Sequence, residues 1–138
     1  MQDTLTQLYP WMHLVGRVLF AMIFVMSGIK HLTGFSGMKG YATFKGVPSP
    51  GPAVAVSGLM ILVGGIFIAL GWHRFIGAGL IVIFCPLAAV LVHAFWKESD
   101  PMARANELAH FMKNIALAGG ALFMAVYAGG WWPMSLGG

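Results

Sequence analysis

Apolar positions occupy four long stretches of this chain, and short polar segments separate them. Charged side chains are absent from 46–73, 75–96 and 114–138, and 11–29 contains only Arg17. A helix needs about 20 predominantly apolar residues to cross the hydrocarbon core of a bilayer. The pattern therefore predicts four membrane-spanning helices, which occupy about 11–30, 52–71, 75–96 and 108–130.

The segments between these helices predict how the helices connect. Only 72–74 separate the second helix from the third, so these two helices form a tight antiparallel hairpin. After the first helix, apolar residues recur at helical spacing over 35–42, which predicts a short helix in the membrane interface. An irregular loop is the alternative, and the prolines of 47–52 end either structure. Asp100 and Pro101 are typical of an N-cap and a first helical position, so the fourth helix starts near Pro101, outside the bilayer.

The composition excludes both a water-soluble domain and a disordered chain. Of the 138 residues, 59% are hydrophobic and 9% are charged, whereas about 25% are charged in an ordinary soluble domain. Disordered chains are poor in aromatic and aliphatic residues, so this chain does not belong to that class. The predicted fold class is all-α: a polytopic membrane protein whose single domain, 1–138, is an antiparallel four-helix bundle with one short interfacial helix.

Cysteine usage, charge and motifs narrow the possible chemistry. The single cysteine, Cys85, excludes an internal disulfide, a C-x-x-C redox pair and a thiolate zinc cage, so electron transfer would need a bound cofactor or a partner. The net charge of +4 comes from scattered residues, which excludes nucleic acid as a partner and suits anionic lipid. The common nucleotide-binding, zinc-protease and serine-hydrolase motifs are absent, so no catalytic residue is assigned.

The distribution of lysine and arginine predicts the orientation in the membrane. The side that holds both termini and the hairpin turn carries Arg74 alone. The positive-inside rule therefore places the opposite side in the cytoplasm and both termini outside. The basic residues of the cytoplasmic side are Lys30, Lys39, Lys45, Lys97 and Arg104.

Polar side chains in or near the spans are the candidate functional residues. A charge at mid-bilayer costs about 2.5–3.5 kcal/mol, so such residues need a reason. The end of the first helix, the end of the third and the start of the fourth meet on one side of an antiparallel bundle, and Glu107 belongs to this group. Arg17 lies about two turns inside the first helix, where it can reach the interface or pair with a carbonyl or a ligand. The candidate binding residues are Ser27, His31, His93, His110, Lys113, Asn114 and Arg17.

Three histidines and a carboxylate at one end of a bundle allow several kinds of chemistry. They can bind a metal, ligate a macrocycle or hydrogen-bond a quinone head group. The alternative is a polar lid that holds the helices together, and spacing alone favours this lid. No histidine pair has i, i+4 spacing, so a metal site depends only on predicted proximity.

Several motifs stand out along the chain: Gly16-Arg17, 24–31, Gly64-Gly65, Leu70-Gly71, His93-Ala94-Phe95-Trp96 and 111–120. With these motifs, from Gly16 to Met124, the chain resembles the DoxX family of small four-helix membrane proteins. The resemblance implies the fold, an inner membrane location in a bacterium, and a link to quinone-dependent sulfur oxidation or to the assembly of larger membrane proteins. One departure concerns Met60 and Ile61, because many members carry a glutamate there, so an acid-base role of that carboxylate is not carried over.

Two functional hypotheses follow from the residues and the resemblance. In the first, the chain is a non-catalytic accessory or assembly subunit of a larger, redox-linked membrane complex, and its partners are other integral membrane proteins and lipid. In the second, it is the quinone-binding subunit of a membrane oxidoreductase, and a partner supplies the electrons. A solute or proton carrier is a weaker reading, because inverted repeats are absent and no carboxylate lies deep in a span.

Overall fold

Five α-helices make up most of residues 2–137, the part of the chain that the computed structural model describes. A short 3₁₀ helix, Phe95–Lys97, joins the last two, and no strand occurs within that range. The helices are α1 (Gln2–Thr33), α2 (Phe35–Phe44), α3 (Pro50–Leu70), α4 (Arg74–Leu91) and α5 (Pro101–Val126).

Four helical segments have the length and apolar character needed to cross a membrane. This confirms the predicted fold class, an all-α polytopic membrane protein with four spans. The predicted bounds differ in the first helix, which extends back through Pro10, in the third, which ends at Leu91 instead of residue 96, and in the fourth, which ends at Val126 instead of residue 130. The start of the fourth helix at Pro101 is as predicted. The four segments are Thr4–Thr33, Pro50–Leu70, Arg74–Lys97 and Pro101–Val126.

Local signals account for the start of α5 and for the short helix α2. The side chain of Asp100 accepts a hydrogen bond from the amide of Ala103 at 2.8 Å, which makes it the expected N-cap. The predicted short helix after α1 is also present, over Phe35–Phe44, and it packs against α3. Gly46, with a φ of 74°, follows α2 and turns the chain toward the prolines that open α3.

Small residues set the distances between neighbouring helices. A Cβ added at Gly28 of α1 would lie 2.7 Å from the Cβ of Leu62 in α3, and one added at Gly65 would lie 2.9 Å from Val25. At the next interface, a Cβ on Gly64 would lie 3.1 Å from the carbonyl of Gly77 in α4. Such close backbone approach is the usual way in which helices associate in lipid.

The helices follow one another around the bundle in chain order. The most extensive contacts join α1 with α3 and α4 with α5, and α3 contacts α4, but the backbones of α1 and α5 do not approach closely within residues 2–137. A side chain bridges part of this seam, since a Cβ on Gly120 would lie 3.1 Å from the ring of Phe20. Four helices supply the buried core: Ala21, Phe24, Ile61, Ile68, Ile81, Cys85 and Ala121.

The bundle therefore has two distinct ends. At the α2 end, α1 and α4 finish and α3 and α5 begin. At the hairpin end, α3 turns into α4, and the segment after α5 folds back so that the amide of Leu136 donates to the carbonyl of Leu70 at 2.9 Å.

Candidate functional site

A cavity of about 400 Å³ lies at the α2 end, and all five helices contribute to its wall. Most of the wall is apolar, for example Ile23, Met60, Phe84 and Leu117. The structure brings five of the seven candidate binding residues to this wall, where Tyr41 and Ser57 join them. The five are Ser27, His31, His93, Lys113 and Asn114.

Two of the exposed lining residues place an opening of the cavity, called its mouth here, between α3 and α4. Val56 of α3 is 57% exposed and Leu87 of α4 is 55% exposed, although both line the cavity. The two helices are in close contact near the hairpin, at Gly64 and Gly77. Val56 and Leu87 are apolar and belong to membrane-spanning helices, so the mouth that they flank faces the hydrocarbon of the bilayer.

The polar end of the cavity is bordered by a charge cluster centred on the carboxylate of Glu107 in α5, which bonds the lining residue His93 but does not itself line the cavity. One carboxylate oxygen accepts from the Lys45 ammonium at 2.5 Å, and the other lies 2.8 Å from Nδ1 of His93. Lys45 also contacts Glu98 at 3.3 Å. The side chains of Lys45 and Glu107 are only 12% and 15% exposed, so water screens their ion pair less than it would at the surface.

Apart from the stacking of His110 on His93, the remaining polar residues of this end are held by contacts with residues three or four positions away. The ring of His110 stacks on His93 with the centroids 5.0 Å apart, and its Nδ1 lies 3.2 Å from the ammonium of Lys113. Asn114, which is 7% exposed, donates to the carbonyl of His110 at 3.1 Å. His31 donates from Nδ1 to the carbonyl of Ser27 at 2.7 Å. His110 is exposed and does not itself line the cavity.

Two groups of this cluster lie outside the membrane-spanning segments, and their surroundings shift their pKa values. Burial alone would lower the pKa of Lys45, but hydrogen bonds to Glu107 and Glu98 outweigh burial and raise it. Burial raises the pKa of Tyr41, although the Lys45 ammonium, 5.9 Å from the ring centroid, opposes this. At neutral pH, Lys45 is therefore an ammonium and Tyr41 a neutral hydroxyl.

Sequence reasoning did not include Lys45, Glu98 or Tyr41 among the candidate binding residues. Lys45 follows α2, Glu98 lies between α4 and α5, and Tyr41 lies on α2, so their meeting depends on how the connecting segments fold. The available signal was charge, because Lys45 and Glu98 have opposite charge and belong to loops on the same side of the bundle. Glu107 was recognised as part of the polar group, and the structure makes it the central member.

Arg17 lies apart from the cavity, toward the hairpin end. It is 3% exposed, and its guanidinium donates to carbonyls from two segments, at 3.0 Å to Ala69 and at 2.7 Å to Pro133. A third donation goes to the carbonyl of Met134. Of the alternatives that the sequence left open for Arg17, pairing with carbonyls is the one observed, and it holds the C-terminal segment against α3.

The histidines of the α2 end do not form a metal centre. Within residues 4–137, whose side chains the structure describes, no group of three or more His, Cys, Asp or Glu has the geometry to hold a metal ion. In particular, Nδ1 of His93 and a carboxylate oxygen of Glu107 bond each other, so neither of these two atoms faces a common point as a ligand would. The arrangement suits hydrogen bonding to an organic head group.

The part of the chain that matches a known protein family includes most of α1 and all of α2, α3 and α4, which form most of the cavity wall. The family model named DoxX matches residues 12–94, from within α1 to just beyond α4. The chain belongs to the DoxX family. It is similar to the inner membrane proteins YphA and YqjF of Escherichia coli (strain K12). YphA is 28% identical, with 85% of this chain and 83% of YphA aligned, and YqjF is 32% identical, with 82% and 81% aligned. No solved structure matches the chain.

These findings confirm the family resemblance and the predicted localisation. The four spans and the two inner membrane relatives agree that this DoxX protein is an integral protein of a bacterial inner membrane. The family match ends before α5, the helix that supplies Glu107, His110, Lys113 and Asn114. The orientation of the termini stays a prediction.

Proposed function

We propose that this DoxX protein is a small membrane subunit that binds an amphiphilic ligand of the quinone class, while a partner in a larger redox-linked complex supplies the electrons. The observation that carries the proposal is the cavity at the α2 end, which is apolar along most of its wall and polar at one end. A quinone likewise has a polar part, the ring with its carbonyl groups, and an apolar part, the tail. The mouth between α3 and α4 would let the tail extend into the bilayer.

The polar end offers the donors that a quinone head group needs. Quinone carbonyls only accept hydrogen bonds, so their partners must be N–H or O–H groups. Lys113 carries three N–H donors and Tyr41 a hydroxyl, and both line the cavity. The volume of about 400 Å³ lies within the usual range of small-molecule sites, roughly 300–1,000 Å³.

Purification of the intact complex from native membrane, followed by mass identification of extracted lipids, tests this proposal. We expect a quinone to copurify with the wild-type chain and to be reduced in Lys113→Ala and Tyr41→Phe, which remove the two donors of the wall. Lys30→Ala is the matched control, because Lys30 is exposed at the same end and does not line the cavity. Absence of quinone from the intact wild-type complex, or equal quinone in all four proteins, would contradict the proposal.

A second candidate function, that of an accessory or assembly subunit without a ligand, is favoured by one face of α5. Four small residues recur there with spacings of four, seven and three, and all are exposed. A Cβ added at Gly119 would meet nothing within 4 Å, so this face is open to the close approach of another helix. The residues are Ala105, Ala109, Ala116 and Gly119.

The two candidates differ in what a bulky residue on this face would do. If the chain stabilises a partner helix, Gly119→Leu should reduce the abundance of that partner in native membrane, while Gly79→Leu, on α4, should not. A Cβ at Gly79 also meets nothing within 4 Å, which makes it the matched control. Unchanged partner abundance in Gly119→Leu would count against the accessory role and leave the ligand-binding role unaffected.

A further inference from the structure

The charges around the cavity are unevenly placed. Lys113 lines the wall, and no Asp or Glu belongs to the lining within the part of the chain that the structure describes. The nearby carboxylates, Glu107 and Glu98, both bond the Lys45 ammonium. An occupant of the cavity therefore meets a cation whose charge no lining carboxylate balances. This favours an occupant with a negatively charged or strongly accepting atom.

The contact between His93 and Glu107 decides which atom His93 can offer. Glu107 accepts from Lys45 at 2.5 Å, so its carboxylate is ionised and can only accept. Nδ1 of His93, 2.8 Å from the other oxygen, must therefore carry the proton of that hydrogen bond. In the neutral imidazole the second nitrogen, Nε2, is then an unprotonated acceptor. His93 lines the cavity, and Nε2 is the polar ring atom left for an occupant.

The contact between Lys113 and His110 leaves Lys113 available in the same way. An ammonium can only donate, so Nδ1 of His110, 3.2 Å away, is the acceptor and is unprotonated. This contact uses one of the three N–H groups of Lys113. Lys113 is exposed and lines the cavity, as His93 does, so its other two N–H groups can reach an occupant.

We propose that this site binds a weakly acidic ring hydroxyl, such as that of a quinol or a hydroxyquinone, as its oxyanion. The O–H bond of the ligand breaks and an N–H bond forms at Nε2 of His93, with no change in oxidation state. The new imidazolium and the Lys113 ammonium then hold the oxyanion. Glu107 is a positioning residue, which fixes the tautomer of His93 and stabilises its positive charge. The proposal rests on the proposed function, because it needs a ring ligand in the cavity.

The surrounding charged groups make ligand binding and protonation of His93 depend on each other. Glu107, 2.8 Å from Nδ1, can stabilise an imidazolium at His93. The bound oxyanion lies between that imidazolium and the Lys113 ammonium and attracts both. The other charged or titratable groups around His93 are His31 on α1, Tyr41 on α2, Lys45 after α2, Glu98 before α5 and His110 on α5.

The test uses an alkylated hydroxynaphthoquinone, whose visible absorption changes when its hydroxyl ionises. The probe is titrated from acid to neutral pH with the full chain in detergent and, separately, in the same detergent alone. For wild type we expect the ionisation midpoint of the bound probe to lie at least one pH unit below that of the free probe, a tenfold stabilisation of the anion. His93→Gln, Glu107→Gln and Lys113→Met should each abolish most of this shift. Lys30→Gln should leave the shift unchanged.

A methyl ether of the same probe, which has no ionisable hydroxyl, shows whether each variant keeps an intact cavity. We expect it to bind wild type and His93→Gln with similar affinity. Saturable binding of both probes with no shift in the ionisation midpoint would overturn the oxyanion proposal and leave the proposed function standing. Failure of both probes to bind wild type would contradict the proposed function, and the oxyanion proposal with it.

Discussion

At the scale of single residues, His93 depends on neighbours far from it in sequence. Its Nδ1 bonds Glu107, and Glu107 in turn bonds Lys45, which arrives from the segment after α2. The candidate list drawn from the sequence contained His93 and four other lining residues, because antiparallel topology brings helix ends together. It could not contain Lys45, since helical periodicity does not say how a connecting segment folds. Depth along α1 likewise placed Arg17 inside the span, but it left open whether Arg17 reaches the interface or pairs with a carbonyl or a ligand.

The pairing of Lys45 with Glu107 predicts a measurable coupling. A double-mutant cycle with Lys45→Met and Glu107→Gln should give an interaction free energy of about 1–3 kcal/mol, measured from unfolding in detergent. Lys30→Met combined with Glu107→Gln should give additive effects, because Lys30 is exposed and bonds neither glutamate. Additivity in the Lys45 cycle would show that the ion pair does not contribute to stability.

The raised pKa of Lys45 gives this coupling a definite pH dependence. A group whose pKa is higher in the folded state contributes its full stability below its unfolded pKa, here about 10.4. The contribution then declines as the pH rises through the folded value. The stability difference between wild type and Lys45→Met should therefore be constant from neutral pH to about 9 and shrink in more alkaline solution. A difference that grows with alkaline pH would contradict the assigned direction.

Arg17 predicts a structural effect at the other end of the bundle. Arg17→Met removes three donations to carbonyls, two of them in the C-terminal segment. Loss of charged hydrogen bonds in a buried setting should cost on the order of 3 kcal/mol and release the segment to protease. Arg74→Met is the control, because its bond to Gly130 is exposed, and it should cost less than about 1 kcal/mol. A wild-type unfolding midpoint for Arg17→Met would contradict this assignment.

At the scale of helices, spacing and composition predicted most of what the structure contains. The four spans, the hairpin and the short helix α2 follow from apolar runs and prolines. The start of α1 was predicted too late because Pro10 and polar neighbours interrupt the apolar pattern, although the helix continues through them. The end of α5 was predicted too late because 127–130 stay apolar while glycines turn the chain. Apolar character measures burial in lipid, and it does not mark where a helix stops.

Two glycines predict different effects of substitution on stability. Gly65 lies in the α1–α3 interface, and Gly79 lies on α4. A Cβ at Gly65 would lie 2.9 Å from Val25 and 3.1 Å from its backbone nitrogen, so Gly65→Ala should destabilise the bundle by about 1–3 kcal/mol. Gly79 is also within a helix, but a Cβ there meets nothing within 4 Å. Gly79→Ala should leave stability unchanged or raise it by up to about 1 kcal/mol. Thermal unfolding in detergent measures both, and equal effects would contradict the packing described for this interface.

At the scale of the whole molecule, the two ends carry different numbers of basic residues. The α2 end holds most of the lysines, and the positive-inside rule places it in the cytoplasm. A reporter fused to the C-terminus should therefore be active if it is of a type that functions outside the cytoplasm, and inactive if it is of a type that functions only inside it. A matched fusion in the segment between α2 and α3 should show the opposite activity. Cytoplasmic activity of the C-terminal fusion would reverse the orientation.

Photo-crosslinking shows whether the cavity at the α2 end holds an amphiphilic ring ligand. Membranes containing the full chain are labelled with a photoreactive quinone, and the labelled peptides are mapped by mass. We predict label on the wall, at 84–93 and 113–117, that unlabelled quinone competes away. Ala88→Phe, which fills the cavity, should abolish it, and Ala116→Phe, on the exposed face, should not. Label spread over lipid-facing residues and insensitive to competition would contradict the account.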